Sequence, residues 1–202
     1  MIIYDSSSET VFGPCNLKLD AKPDKCLLIF DDEIWDDYVL ANKNLATFSA
    51  KNTYGRIFDT YRYQNMDGEK ILLVYPTTGS AGSVCDMELL IASGIEKFVA
   101  FGTCGRLDKN IAKNTIILPT AAYREEGTSY HYLPDSDEIE VDKSLLQKAK
   151  SVFDKTILTV IEGKIWTTDA VYRETYCKVK LMQERGCIGV DMELSALLVL
   201  AK

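Results

Sequence analysis

The chain has 202 residues, 47% of them hydrophobic and 26% charged, with a formal net charge of −7. That is ordinary globular composition, about one domain's worth of chain, with enough length to bury a core. No stretch reaches the roughly 18 consecutive apolar residues of a membrane span, and the acidic balance excludes nonspecific nucleic-acid binding, which needs a basic footprint.

The first two dozen residues read as irregular. Lys25 to Phe30 (KCLLIF) reads as a buried strand, and Asp31-Asp32-Glu33 open a helix running through Ala41, where acids suit the helix dipole. Gly55 to Tyr63 alternates like a sheet strand, Asp67-Gly68 is a hairpin turn signal, and Ile71 to Tyr75 (ILLVY) is the next strand. The glycine-bearing loop Pro76 to Ser83 leads into a helix with Met87, Leu90 and Ile91 on one face, ending at Gly94. Lys97 to Phe101 (KFVAF) reads as another buried strand, closed by Gly102-Thr103-Cys104-Gly105. Further strands are expected at Thr115–Ala122, Thr156–Ile161 and Cys187–Val190, with helices at Val141–Phe153 and Arg173–Arg185 and from Asp191-Met192-Glu193 onward. Strands alternating with helices mean an α/β fold, whose ligands sit at the carboxyl ends of strands.

The six cysteines form no CxxC pair, and the N-terminus shows no basic start leading into an apolar run. They read as reduced thiols of a cytoplasmic protein, and with His131 the only histidine no metal site is expected.

Five segments carry candidate chemistry, each beside a plainer reading. The turn 102–105 lets backbone N–H groups approach an oxyanion, with Thr103 able to donate a further hydrogen bond; alone, it is a tight turn. Pro76 to Ser83 resembles a phosphate loop but lacks the GxxxxGK[ST] lysine, and on its own reads as a close-packed turn. Residues 124–132 (REEGTSYHY) are dense in polar and aromatic groups; the plainer reading is a surface loop, and no hydrolase triad is spaced there. Trp166 could stack on a planar base or fill the core, and Asp169 would cap the next helix. Asp191 and Glu193 flank Met192 at a strand-to-helix corner, where a carboxylate can accept hydrogen bonds from a vicinal diol such as ribose presents; a helix-start acid pair explains the charges equally.

Taken in this order, the runs KFVAFGTCGRL (97–107), IILPTAAYREEGTSYHYLP (116–134), WTTDAVYRET (166–175) and GCIGVDMELSAL (186–197) resemble the nucleoside phosphorylase superfamily, which contains uridine phosphorylase and the hexameric purine nucleoside phosphorylases. The resemblance covers most of the chain from about Ile71 onward. It implies an α/β fold, a three-layer sandwich with a mixed, largely parallel central sheet, in a single domain over 1–202. It also implies phosphate attack on the anomeric carbon of a nucleoside, giving free base and ribose 1-phosphate with no cofactor beyond inorganic phosphate. By the same resemblance Thr103 and Glu193 are catalytic, Thr103 touching phosphate and sugar and Glu193 the ribose hydroxyls. Cys104, Gly105, Trp166, Asp191 and Met192 line the base and sugar, and assembly is as a homodimer or trimer of dimers.

The departures are specific. The family's GDPxR phosphate loop is absent, with Leu27 to Asp32 in its place, and Ala100 stands where many members carry an arginine. Arg124 or Arg56 is the substitute phosphate cation. The residues that read uracil have no counterpart after Tyr172, so uridine specificity gets no support, and a purine is the expected base because Trp166 and Asp191 suit a purine edge. The family's general-acid Asp lies beyond Leu200, so the domain is expected to be C-terminally truncated, lacking its last strand and helix. Hydrolysis of the same bond, or nucleoside binding without turnover, are the alternatives.

Overall fold

The KCLLIF run forms β1 (Lys25–Phe30), as its apolar content dictates, with Cys26, Leu28 and Ile29 buried. The computed structural model describes residues 4–7, 9–14, 23–40, 46–51, 57–64, 68 and 70–202. After β1, Asp31 caps a single helical turn, α1 (Asp32–Ile34), by accepting from the Ile34 amide; the path continues as a π-helical segment over Trp35–Leu40. β2 (Ala46–Lys51), β3 (Ile57–Gln64) and β4 (Lys70–Val74) follow. β3 and β4 pair antiparallel, and Gly68, at φ +80°, takes the left-handed conformation such a turn demands. Its expected turn partner Asp67 lies outside the described residues.

Next come α2 (Ser80–Ala92) and β5 (Lys97–Gly102). The second half of the chain holds β6 (Gly105–Arg106), β7 (Ile116–Glu125), β8 (Glu138–Glu140), α3 (Lys143–Phe153), β9 (Val160–Thr168), α4 (Tyr176–Glu184), β10 (Cys187–Asp191) and α5 (Leu194–Leu200).

Contacts gather the chain into two compact units. The first, Ser7–Thr78 with Gly82–Thr103, holds the sheet β2-β3-β4-β1-β5, in which β1 runs parallel to β4 and β5. Ile29, Trp35 and Leu73 pack together there, with the Trp35 and Tyr75 rings 5.5 Å apart. The second, Cys104–Lys202 with Gly79–Ala81, holds the sheet β6-β10-β9-β7-β8, in which β9 runs parallel to both β7 and β10. Its core is Leu107, Trp166, Met182, Cys187 and Val190, with Ala122, Ile139 and Val199 forming another cluster.

The α/β class and the mixed pairing expected from the sequence are present, and the described strands form two five-stranded sheets. Four local expectations are corrected. β5 was expected to be buried and is largely exposed, Val99 at 63%; among the described strands it stands last in its sheet and pairs with β1 alone. Ile91 is exposed while Met87 and Leu90 of the same helix are buried. The strand expected at Thr156–Ile161 begins at Val160 instead, because Thr156 turns back to bond the Phe153 carbonyl at the end of α3. The helix expected from Arg173 starts at Tyr176, because Thr175 supplies its cap.

Candidate active site

Two close approaches of backbone shape the end of β10. Gly105 pairs with Val190, and a Cβ on it would lie 2.7 Å from Val190 Cγ1. Gly189 leaves room for the Cys104 sulfur, which lies 3.0 Å from where its Cβ would be. These glycines hold the Cys104-Gly105 segment flat against β10, so the turn Asp191-Met192-Glu193 emerges beside Cys104.

Asp191 ends β10 with both oxygens engaged. The Thr167 hydroxyl donates to Oδ1 at 2.7 Å and the Leu194 amide donates to Oδ2 at 2.8 Å. Removal from water pushes its carboxyl up to about 7, against the pull of those two hydrogen bonds and a further one from the Glu193 backbone, and the Glu193 charge adds to the rise. Glu193 accepts from the Gly79 amide at 2.6 Å and from the Met192 amide at 3.3 Å. Its carboxyl is also raised, by burial, with the Gly79 and Met192 amides opposing. The Ser80 hydroxyl donates to the Met192 carbonyl at 2.7 Å, so one short loop fastens both residues of the corner. The Cys104 thiol is pushed up by burial first and by the Asp191 charge second.

A polar network lies behind this turn. Thr167 Oγ1 also accepts from the Ser195 amide at 3.0 Å. The Ser195 hydroxyl donates to Glu126 Oε1 at 2.9 Å, and Glu126 Oε2 accepts from the Ser129 amide at 2.9 Å. Thr167, Glu126, Ser129 and Ser195 are all buried, so these bonds fix side-chain positions where water cannot compete.

Two expected site residues are elsewhere. Trp166 is fully buried in the core cluster, its indole N–H donating to Glu125 Oε2 at 2.8 Å while Lys178 pairs with the other oxygen. A ring enclosed in this way presents no face to a base. Arg124, expected at phosphate, is 3% exposed and occupied: it donates to the Ser129 and Ser136 hydroxyls and to the Pro134 carbonyl, and stacks over Tyr130 at 4.2 Å. It braces the 124–136 loop. Arg56 lies outside the described residues. Asp169, expected to cap the next helix, accepts instead from the Gly127 amide at 2.8 Å.

Thr103 belongs to the other unit, one peptide bond from Cys104. It lines an open cavity of about 380 Å³ together with Phe30, Asp31, Asp32, Glu33, Tyr75 and Thr78. The Tyr75 hydroxyl donates to Asp32. Three carboxylates thus stand in the cavity where Thr103 was expected to meet phosphate.

Sequence reasoning missed Gly79, Ser80, Thr167, Glu126 and Ser195. The signal for Gly79 and Ser80 was their place in a glycine-bearing loop after a strand. No local pattern announces Glu126, whose partner Ser195 is 69 residues away.

Among curated proteins, the chain is similar to the DeoD-type purine nucleoside phosphorylase of Clostridium novyi, at 29% identity over 58% of this chain and 51% of that protein. It is similar also to that of Bacillus cereus, at 30% identity over 56% of this chain and 49% of that protein. The chain therefore spans about half the length of the curated relatives it matches. Among solved structures, uridine phosphorylase from Vibrio fischeri with 6-hydroxy-1-naphthoic acid matches with a TM-score of 0.76 at 18% identity, over 88% of this chain and 71% of that one. That likeness establishes the nucleoside phosphorylase fold. The model of the phosphorylase superfamily matches residues 36–202, and the chain belongs to that family.

Proposed function

We propose that this chain cleaves the N-glycosidic bond of a nucleoside, purine in preference to pyrimidine, transferring the ribosyl group to phosphate. The observation that carries the reading is the Asp191-Met192-Glu193 corner, with a Glu193 carboxylate held in place by the Gly79 amide. A carboxylate oxygen that accepts one amide keeps a second lone pair, so Glu193 can accept from the two hydroxyls of ribose. Fixing the sugar in this way supplies orientation, and holding charge on the carboxylate favours an anomeric carbon that turns positive as the base departs. Met192 packs under the sugar, Cys104 and Gly105 run along the base, and Thr103 donates to phosphate. With Trp166 in the core, the purine preference rests on Asp191 and on the purine nucleoside phosphorylases among the similar proteins. The proposed setting is nucleoside salvage in the cytoplasm.

Hydrolysis of the same bond is the second reading. It is favoured by Asp31, Asp32 and Glu33 around Thr103, since three carboxylates repel a phosphate dianion but not water.

The test is release of free base from a panel of purine and pyrimidine nucleosides with and without phosphate. Phosphate-dependent release from purine nucleosides is expected. Phosphate-independent release establishes the hydrolase, and binding without release removes both readings. Glu193→Ala should lower turnover by at least about a hundredfold; retained turnover overturns the assignment of the ribose site.

A further inference from the structure

An acid at the start of a helix ordinarily caps that helix, its oxygen accepting from the amides of the first turn. Glu193 stands at the N-cap of α5 and makes no such side-chain bond. The amides are met from elsewhere: Asp191 accepts from Leu194 at 2.8 Å, and Thr167 Oγ1 accepts from Ser195 at 3.0 Å. The Glu193 carboxyl is thereby released to the Gly79 amide and to a ligand. Where it points then depends on how the first turn of α5 is anchored.

Glu126 supplies the anchor. It is 5% exposed, and both of its oxygens accept: Oε1 from the Ser195 hydroxyl and Oε2 from the Ser129 amide, each at 2.9 Å. Ser129 joins it to a cation, since the same residue's hydroxyl accepts from Arg124 Nε at 2.9 Å. Ser195 is fully buried, so water offers its hydroxyl no alternative to Glu126. A carboxylate in such a place carries a desolvation cost that only its donors offset, so an acceptor pair is what the position demands. One bond across 69 residues thus ties the 124–136 loop to the turn that follows Glu193.

We propose that Glu126 is a positioning residue for the ribose-binding carboxylate, setting where Glu193 points through Ser195 and the first turn of α5. This rests on the nucleoside-cleaving reading of the same site. Glu126 acts through Ser195 and not on the substrate. If its bond to Ser195 is weakened, the first turn of α5 gains freedom, and Glu193 meets the sugar hydroxyls less often in the geometry that holds them.

The experiment measures inosine cleavage, and its inhibition by the free base hypoxanthine, in Glu126→Gln, Ser195→Ala and the double variant. Glu126→Gln keeps the volume and one acceptor oxygen but sets an NH2 group against one of the two donors. KM for inosine should rise about tenfold in each single variant, and the double variant should match the more affected single, because both changes cut the same bond. Inhibition by hypoxanthine, which has no ribose hydroxyl for Glu193, should stay within about twofold. A merely structural role would leave fewer active molecules, lowering kcat with KM unchanged. That result, additive losses, or equal weakening of inosine and hypoxanthine overturns the proposal. If Glu126→Gln does not fold, Ser195→Ala, which removes one hydroxyl, carries the comparison. If the wild-type protein does not cleave inosine, the nucleoside-cleaving reading fails, and the amide resonance of Gly79 decides the positioning separately. That amide reports on Glu193, so it should shift in Ser195→Ala; an unmoved resonance defeats the assignment.

Discussion

Asp191 links the site to the stability of the fold. Its carboxyl titrates near 7 in the folded chain against an ordinary value of 3.8, so the folded state keeps a proton that the unfolded chain releases. The stabilisation from this group is therefore complete below about pH 4 and disappears as pH rises through about 7. Tm measured between pH 5 and 8 should fall more steeply for the wild-type protein than for Asp191→Asn; parallel curves would refute the shift. Arg124 shows the opposite economy. A guanidinium that spends its donors on Ser129, Ser136 and the Pro134 carbonyl supports a loop and leaves no fork for an oxyanion.

At the scale of elements, α4 offers a direct check on which residue begins it. Thr175→Ala should cost about 1 kcal/mol in chemical denaturation, while Asp169→Ala should leave α4 intact, by amide exchange, and loosen the turn at Gly127. The elements legible in the sequence were those whose evidence is local. β1, β4 and β10 are short apolar runs bounded by turn-forming or charged residues, and α3 begins at an Asp142 that accepts from the Ser144 and Leu145 amides. β5 reads the same way but stands last among the described strands of its sheet, and an apolar run does not say how many neighbours its strand will have. β8 has three residues, too few for a period to show. In the candidate site, the corner at Asp191–Glu193 stands out in the sequence because two carboxylates flank a methionine where a strand turns into a helix. Trp166 was ambiguous between base and core, and its Glu125 partner, 41 residues away, settled it in the core. The contacts that fix the site, Gly79 to Glu193 and Thr167 to Asp191, span 114 and 24 residues and have no signature in any window of sequence.

For the whole molecule, a net charge of −7 and an acidic cavity at Thr103 bias the chain against anions, which makes phosphate dependence the most informative property of the intact protein. The proposed assembly is a homodimer or trimer of dimers; light scattering should return two or six times the 22.7 kDa of one chain, and a monomer would contradict it. The bond from the Gly79 amide to Glu193 also makes one proton an indicator for the entire sequence. That amide hydrogen sits on a carboxyl oxygen contributed from 114 residues further along. Its resonance is a native spectroscopic beacon, moving when the carboxylate gains a proton or shares its charge with a sugar and broadening when the loop lets go. Occupancy, ionisation and local opening can be followed in solution from a single peak, without a label at the site.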